Sequence, residues 1–70
     1  MTHAQISAIE QYLIDLEGVR DVFQLYTSED KITGALQLLL DTGEMDNNTY
    51  NVWYKKLHDK VNEIERVKGL

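Results

Sequence analysis

Apolar residues of this chain recur with the spacing of an α-helix, and the first such stripe runs from Ile6 to Leu16. Positions three and four residues apart share one face of a helix, so the stripe predicts a helix with one buried side. Thr2 followed by Gln5 has the spacing of a capping box, in which each side chain satisfies a backbone N–H of the helix start. Glycine follows the stripe, and we therefore predict a helix over residues 3–17.

A second regular stripe runs from Tyr50 to Ile64. Asp46 or Asn47 can cap the start of this segment with a side-chain oxygen. Lysine and arginine crowd its C-terminal half, where cations complement the free backbone carbonyls. The sequence therefore predicts a last helix over about residues 47–67, and no proline anywhere in the chain interrupts it.

Residues 19–41 between these helices fit two patterns. As a helix, the segment has one apolar face early and another late, which places an N-cap at Thr27 or Ser28. As a β-hairpin, it turns at residues 28–31 and pairs the β-branched and aromatic residues on one face. Gly34 costs a helix about 1 kcal/mol relative to alanine, whereas an isolated two-stranded hairpin is only marginally stable.

We favour the helical interpretation of the middle segment. The predicted fold is then all-α, a small bundle of three or four helices with a C-terminal αα-hairpin, in one domain over residues 1–70. The alternative is an α+β fold of order α-β-β-α, with a two-stranded hairpin at about 19–41. The chain has no cysteine, so its thin core must be stabilised by helix packing or self-association rather than by disulfides.

The net charge of −5 is unevenly distributed along the chain. Residues 1–46 contain nine acids and two bases, whereas residues 47–70 contain three acids and five bases. This balance repels nucleic acid and anionic membranes and suits a protein partner with a basic or mixed-charge surface. The chain also lacks a membrane-spanning apolar run and a recognisable signal peptide, and we expect a cytoplasmic protein.

Residues that carry catalytic or ligand chemistry are few and scattered. The only serines, Ser7 and Ser28, lack the glycine-flanked setting of a nucleophile, and His3 and His58 are far apart in sequence. The acids around Gly43 lack the alternating ligand order and central glycine of a calcium loop. We therefore expect no enzymatic activity, no metal and no cofactor.

Two short segments resemble known small domains. The leucine run ending at Gly43, followed by a cap, Tyr50 and a Lys-Lys-Leu end at residues 55–57, is similar to the helix-turn-helix of bacterial SHOCT-type modules over about a third of the chain. Gly18-Val19 followed by Asp21-Val22 resembles the start of the hairpin in small α-β-β-α metal-transporter tail domains. Both motifs are generic, and the clustered metal ligands of the second are absent here.

The leading functional hypothesis is a non-enzymatic module, such as a regulator or inhibitor, that docks on a partner protein. Each segment carries a large apolar residue away from its main stripe, and such residues together mark protein contacts or self-association. The predicted contact residues, with two aromatic anchors, are Ile14, Leu25, Leu38, Val52, Trp53 and Tyr54. The alternative is a role with nucleic acid, either as a helix-turn-helix binder using residues 47–58 or as an acidic mimic of DNA.

Overall fold

Three α-helices joined by short turns make up the protein, in a computed structural model that describes residues 1–70. Helix α1 spans His3–Asp15, α2 spans Val22–Asp41 and α3 spans Asn47–Lys68. A single 3₁₀ turn over Leu16–Gly18 extends α1, and the chain contains no strand. The prediction of a small all-α fold is confirmed, and the α-β-β-α alternative is wrong.

Side-chain caps fix where the first and last helices begin. The Thr2 hydroxyl accepts from the Gln5 backbone N–H at 3.1 Å, and the Gln5 amide oxygen accepts from the Thr2 N–H at 2.8 Å. This is the predicted capping box. At α3 the Asp46 carboxylate accepts from the Thr49 N–H at 2.7 Å, and this hydrogen bond holds the pKa of Asp46 below its ordinary value.

The middle segment forms one continuous helix because its start lies earlier than the sequence pattern indicated. Asp21 caps α2 by accepting the Gln24 backbone N–H at 2.7 Å, so the predicted caps at Thr27 and Ser28 are wrong. With the helix starting at Val22, the buried residues Leu25, Ile32 and Leu36 all lie on one face of α2. Gly34 lies on the exposed side, where an added Cβ would meet open space, and its weak helix propensity is the only local cost.

The turn between α2 and α3 makes these two helices antiparallel neighbours. Gly43 adopts a left-handed conformation with φ of 75°, which glycine reaches without steric penalty. The backbone N–H groups of Glu44 and Met45 both donate to the Leu39 carbonyl, and the Met45 side chain is buried. The C-terminal αα-hairpin predicted from the sequence is therefore present.

The core lies along the axis of an elongated bundle that measures 37 × 19 × 16 Å. No polar or charged residue is buried. None of the helices combines the length and apolar character needed to cross a membrane. The eleven core residues are Ile9, Leu16, Val19, Leu25, Ile32, Leu36, Met45, Trp53, Leu57, Val61 and Ile64.

Candidate functional site

Two of the residues predicted to contact a partner belong to the core instead. Leu25 is fully buried because α2 starts at Val22, which places Leu25 on the same face as Ile32, seven residues later. Trp53 is only 8% exposed, since it lies one turn before the buried Leu57. The burial of both side chains disagrees with the predicted roles of Leu25 as an exposed contact residue and of Trp53 as an aromatic anchor.

The other four predicted contact residues are exposed, but they occupy different faces. Ile14 is 57% exposed, and Glu10 lies one turn before it on α1. Val52, which is 54% exposed, lies one turn before Lys56 on α3. Leu38 is 63% exposed on α2, and Tyr54 faces the groove between α2 and α3. A single continuous patch made of all four residues is therefore not formed.

A row of rings on α3 ends in a contact with α2. Tyr50 and Tyr54 stack with ring centroids 5.7 Å apart, and Tyr54 meets the His58 ring edge-on at 4.5 Å. The row ends against α2, where His58 Nδ1 lies 3.5 Å from a carboxylate oxygen of Glu29. The His58–Glu29 contact therefore joins α3 to α2 at this point.

A second polar contact joins the same two helices nearer their far end. The Tyr26 hydroxyl donates to the Glu65 carboxylate at 2.9 Å, and this hydrogen bond raises the pKa of the Tyr26 phenol above its ordinary value of 10.0. The contact shows that α2 and α3 stay side by side along most of their length. DNA-binding helix-turn-helix motifs instead cross at about 90–120°.

The groove between α1 and α3 is also bridged by polar groups. Lys60 of α3 donates to the Glu17 carboxylate, and this pairing lowers the pKa of Glu17 and raises that of Lys60. Lys68 donates to the backbone carbonyl of Val19 at 2.8 Å and to that of Glu17. Cations near the C-terminus of α3 therefore hold the end of α1 in place.

The groove between α1 and α2 differs from the other two because no hydrogen bond or ion pair crosses it. The one polar link from α1 in this direction joins Gln5 to Glu44, which lies in the turn beyond α2. Instead the groove holds an open cleft of about 290 Å³. The residues lining this α1–α2 cleft are Tyr12, Asp15, Leu16, Ser28, Lys31, Ile32 and Ala35.

The α1–α2 cleft has an apolar floor and a polar rim. Leu16 and Ile32 are core residues whose buried side chains form part of its wall, and Ala35 is half-buried. Leu38 follows Ala35 by three residues on α2, which continues the lining stripe by one turn as exposed apolar surface. Of the four exposed predicted residues, Leu38 alone lies one turn along its helix from a residue that lines this cleft.

Sequence reasoning missed the cleft and one further exposed side chain. The cleft depends on which flanks of α1 and α2 meet, and an apolar stripe identifies a buried face without identifying its neighbour. Phe23 belongs to the early apolar face in the helical interpretation of residues 19–41, yet it is 79% exposed. The signal for Phe23 was its position two residues before Leu25, which puts it on the far side of a helix that buries Leu25.

No group of three or more His, Asp or Glu side chains lies close enough to hold a metal ion. The groups with shifted pKa values lie in surface capping contacts and polar pairs, and none of them lines the α1–α2 cleft. No protein-family model, curated protein or solved structure matches this chain.

Proposed function

We propose that the protein is a non-enzymatic binding module that docks on a basic partner protein through one face, made of the α1–α2 cleft and Leu38. The observation that carries this proposal is the difference between the three interhelical grooves. Two grooves are bridged by side chains, whereas the third presents an apolar floor with no bridging contact. Exposed apolar surface of this kind, rimmed by polar groups, is typical of protein-binding sites.

Charge supports a basic partner for this face. Nine of the twelve acids in the chain lie within residues 1–46, which include α1 and α2, against two bases in the same range. Opposite charge on the partner would raise the association rate and fix the orientation of docking. The apolar floor would supply affinity once the two surfaces meet. A regulator or inhibitor that acts only by occupying its partner's surface needs no catalytic residues.

Site-specific photocrosslinking tests the proposal. A benzophenone amino acid at Leu38, in the full chain expressed in the cells of origin, should give a discrete adduct with a basic protein. The same group at Asn62, which is exposed on α3 away from the cleft, is the matched control and should give no such adduct. Adducts of equal yield at both positions, or none at Leu38, would contradict the proposed docking face.

A charge substitution provides the functional counterpart of this experiment. Leu38→Asp should abolish binding of the crosslinked partner while leaving the helix content measured by circular dichroism unchanged, because the side chain is largely exposed. Val52→Asp introduces the same charge at an equally exposed site on α3 and should preserve binding. If binding survives Leu38→Asp, the face is wrongly assigned.

The acidic-mimic hypothesis predicts a narrower class of partner, namely a protein that binds DNA. Its support is the same excess of acids over bases in residues 1–46. A mimic would compete with duplex DNA for its partner and would not itself be retained on DNA. A direct DNA binder would be retained, with an affinity that falls steeply as salt increases.

A further inference from the structure

We infer that the α1–α2 cleft accepts a basic amphipathic helix, which lies along the groove as a fourth helix and inserts one large apolar side chain beside Ala35. This inference rests on the proposed function and specifies the partner's recognition element. The proposed recognition element is a helix with a basic polar face and a single main apolar anchor. Each of these three points follows from a different feature of the molecule.

The shape of the cleft favours a helix. Its lining follows two antiparallel helices, and along α2 it runs from Ser28 through Lys31 and Ala35 at intervals of three and four residues. From Ser28 to Leu38 this side of α2 is about 15 Å long, or nearly three helical turns, and its apolar part runs from Ile32 to Leu38. A linear groove of this kind matches the recognition mode in which an amphipathic helix lays its apolar face between two helices.

The volume of the cleft favours one or two inserted side chains. A cleft of about 290 Å³ lies at the lower limit of sites that enclose a small organic ligand. Ser28 and Ala35 are the small residues along its α2 wall, and they allow a neighbouring helix to approach closely. Leu16 and Ile32 at the floor would then surround an apolar anchor with apolar atoms.

The overall charge of the chain favours a basic helix over a second copy of this chain. Asp15 and Lys31 both line the rim and supply one charge of each sign, and the excess of nine acids over two bases in residues 1–46 supplies the attraction for a basic partner. Two copies of the protein, each with a net charge of −5, would repel one another on approach. A helix with lysine or arginine along its polar face would be attracted instead.

Titration with a defined peptide tests the inference. The probe is a synthetic helical peptide of about 18 residues built only from leucine and lysine, with leucine at intervals of three and four. Amide chemical shifts of the ¹⁵N-labelled full chain should change chiefly at Tyr12, Ser28, Lys31 and Ala35. A peptide with glutamate in place of every lysine should cause no shifts.

A pair of neutral variants separates insertion into the cleft from general attraction between opposite charges. Ala35→Gln fills the mouth of the cleft without changing the charge and should weaken peptide binding by at least about tenfold. Val52→Gln, on exposed surface of α3, is the matched control and should change binding less than about twofold. Equal effects of both variants, or shifts spread over the whole acidic surface, would overturn the inference.

The two proposals fail in different ways. If the peptide does not bind in the cleft but Leu38 still crosslinks to a basic protein, the helical occupant is wrong and the docking face stands. If the peptide binds as expected but Leu38 captures no partner, the groove recognises basic helices and the proposed function is wrong. Circular dichroism of each variant confirms that a loss of binding does not reflect unfolding.

Discussion

The two flanks of helix α2 are built differently. On the α3 side, Tyr26 and Glu29 reach across the groove to Glu65 and His58. On the α1 side, no side chain bridges the groove, and an open cleft lies above the core. One helix thus borders both a groove that is bridged by polar side chains and a groove that holds an open apolar cleft.

This difference shows that polar bridges mark a closed groove without being its main source of stability. Polar pairs at the surface contribute at most about 1 kcal/mol each, because water screens them and the side chains lose freedom. The apolar residues buried between α2 and α3 carry far more free energy. A groove without bridges can therefore remain open to a partner while the core beneath it keeps the fold intact.

The largest expected effect comes from deleting a side chain in the closed part of the core. Leu57 is fully buried, so Leu57→Ala should reduce the free energy of unfolding by about 2–5 kcal/mol. A domain of this length has a total of about 4–10 kcal/mol, and the variant should be close to unfolded. Urea titration followed by circular dichroism measures the change.

The matched change on the open side is Leu38→Ala. Since Leu38 is mostly exposed, this variant should change the free energy of unfolding by less than about 0.5 kcal/mol. The two variants apply the same substitution, leucine to alanine, to the closed side of the bundle and to its open side. A Leu38→Ala cost close to that of Leu57→Ala would mean that the α1–α2 side is as closed as the other.

Much of the fold could be predicted from sequence because its signals are local. The capping box at Thr2 and the cap at Asp46 mark helix starts through contacts within four residues. The middle helix was the uncertain part, since apolar residues on two faces matched both a helix and a hairpin. The cap at Asp21 starts one continuous helix, which buries Leu25 in the core and leaves Phe23 exposed.

The candidate site could not be predicted in the same way, because it depends on tertiary packing. Tyr12 and Ala35 are far apart in sequence and become neighbours only when α1 folds back along α2. The off-stripe apolar pattern identified Leu38, which lies one turn from a residue that lines the cleft, but it also selected Ile14 and Val52 on other faces. The pattern within one helix can predict which side chains are exposed. Only the packing of two helices decides whether those side chains form one continuous surface.

Acid should loosen the groove between α1 and α3 by breaking its ion pair. Because Lys60 lowers the pKa of Glu17 below its ordinary value of 4.5, the pair contributes stability above that value, and this contribution is lost as pH falls through the folded-state pKa. The raised pKa of Lys60 sets the alkaline limit, since its contribution is lost as pH rises through that pKa. Thermal melting from neutral pH down to about pH 2 follows the change.

Glu17→Gln provides the reference for this acid titration. At neutral pH the variant should melt a few degrees below the wild type, and the difference should vanish once Glu17 is protonated. Asp46 also has a lowered pKa, so both proteins should lose further stability in acid. A wild-type advantage that persists below the folded-state pKa of Glu17 would show that the side chain acts through packing instead.

The smallest effect concerns the bridge between Tyr26 and Glu65 on the closed side. The hydrogen bond raises the pKa of the phenol, so its contribution is present below 10.0 and is lost as pH rises through the folded-state pKa. The chain contains four tyrosines. In an ultraviolet titration, Tyr26→Phe should remove the phenolate signal that appears at a pH above 10.0. Glu65→Gln keeps an acceptor but removes the charge, and it should move that signal to lower pH. If both variants leave the high-pH signal in place, the bridge is absent in solution, and the distinction between a closed and an open flank of α2 rests on the core alone.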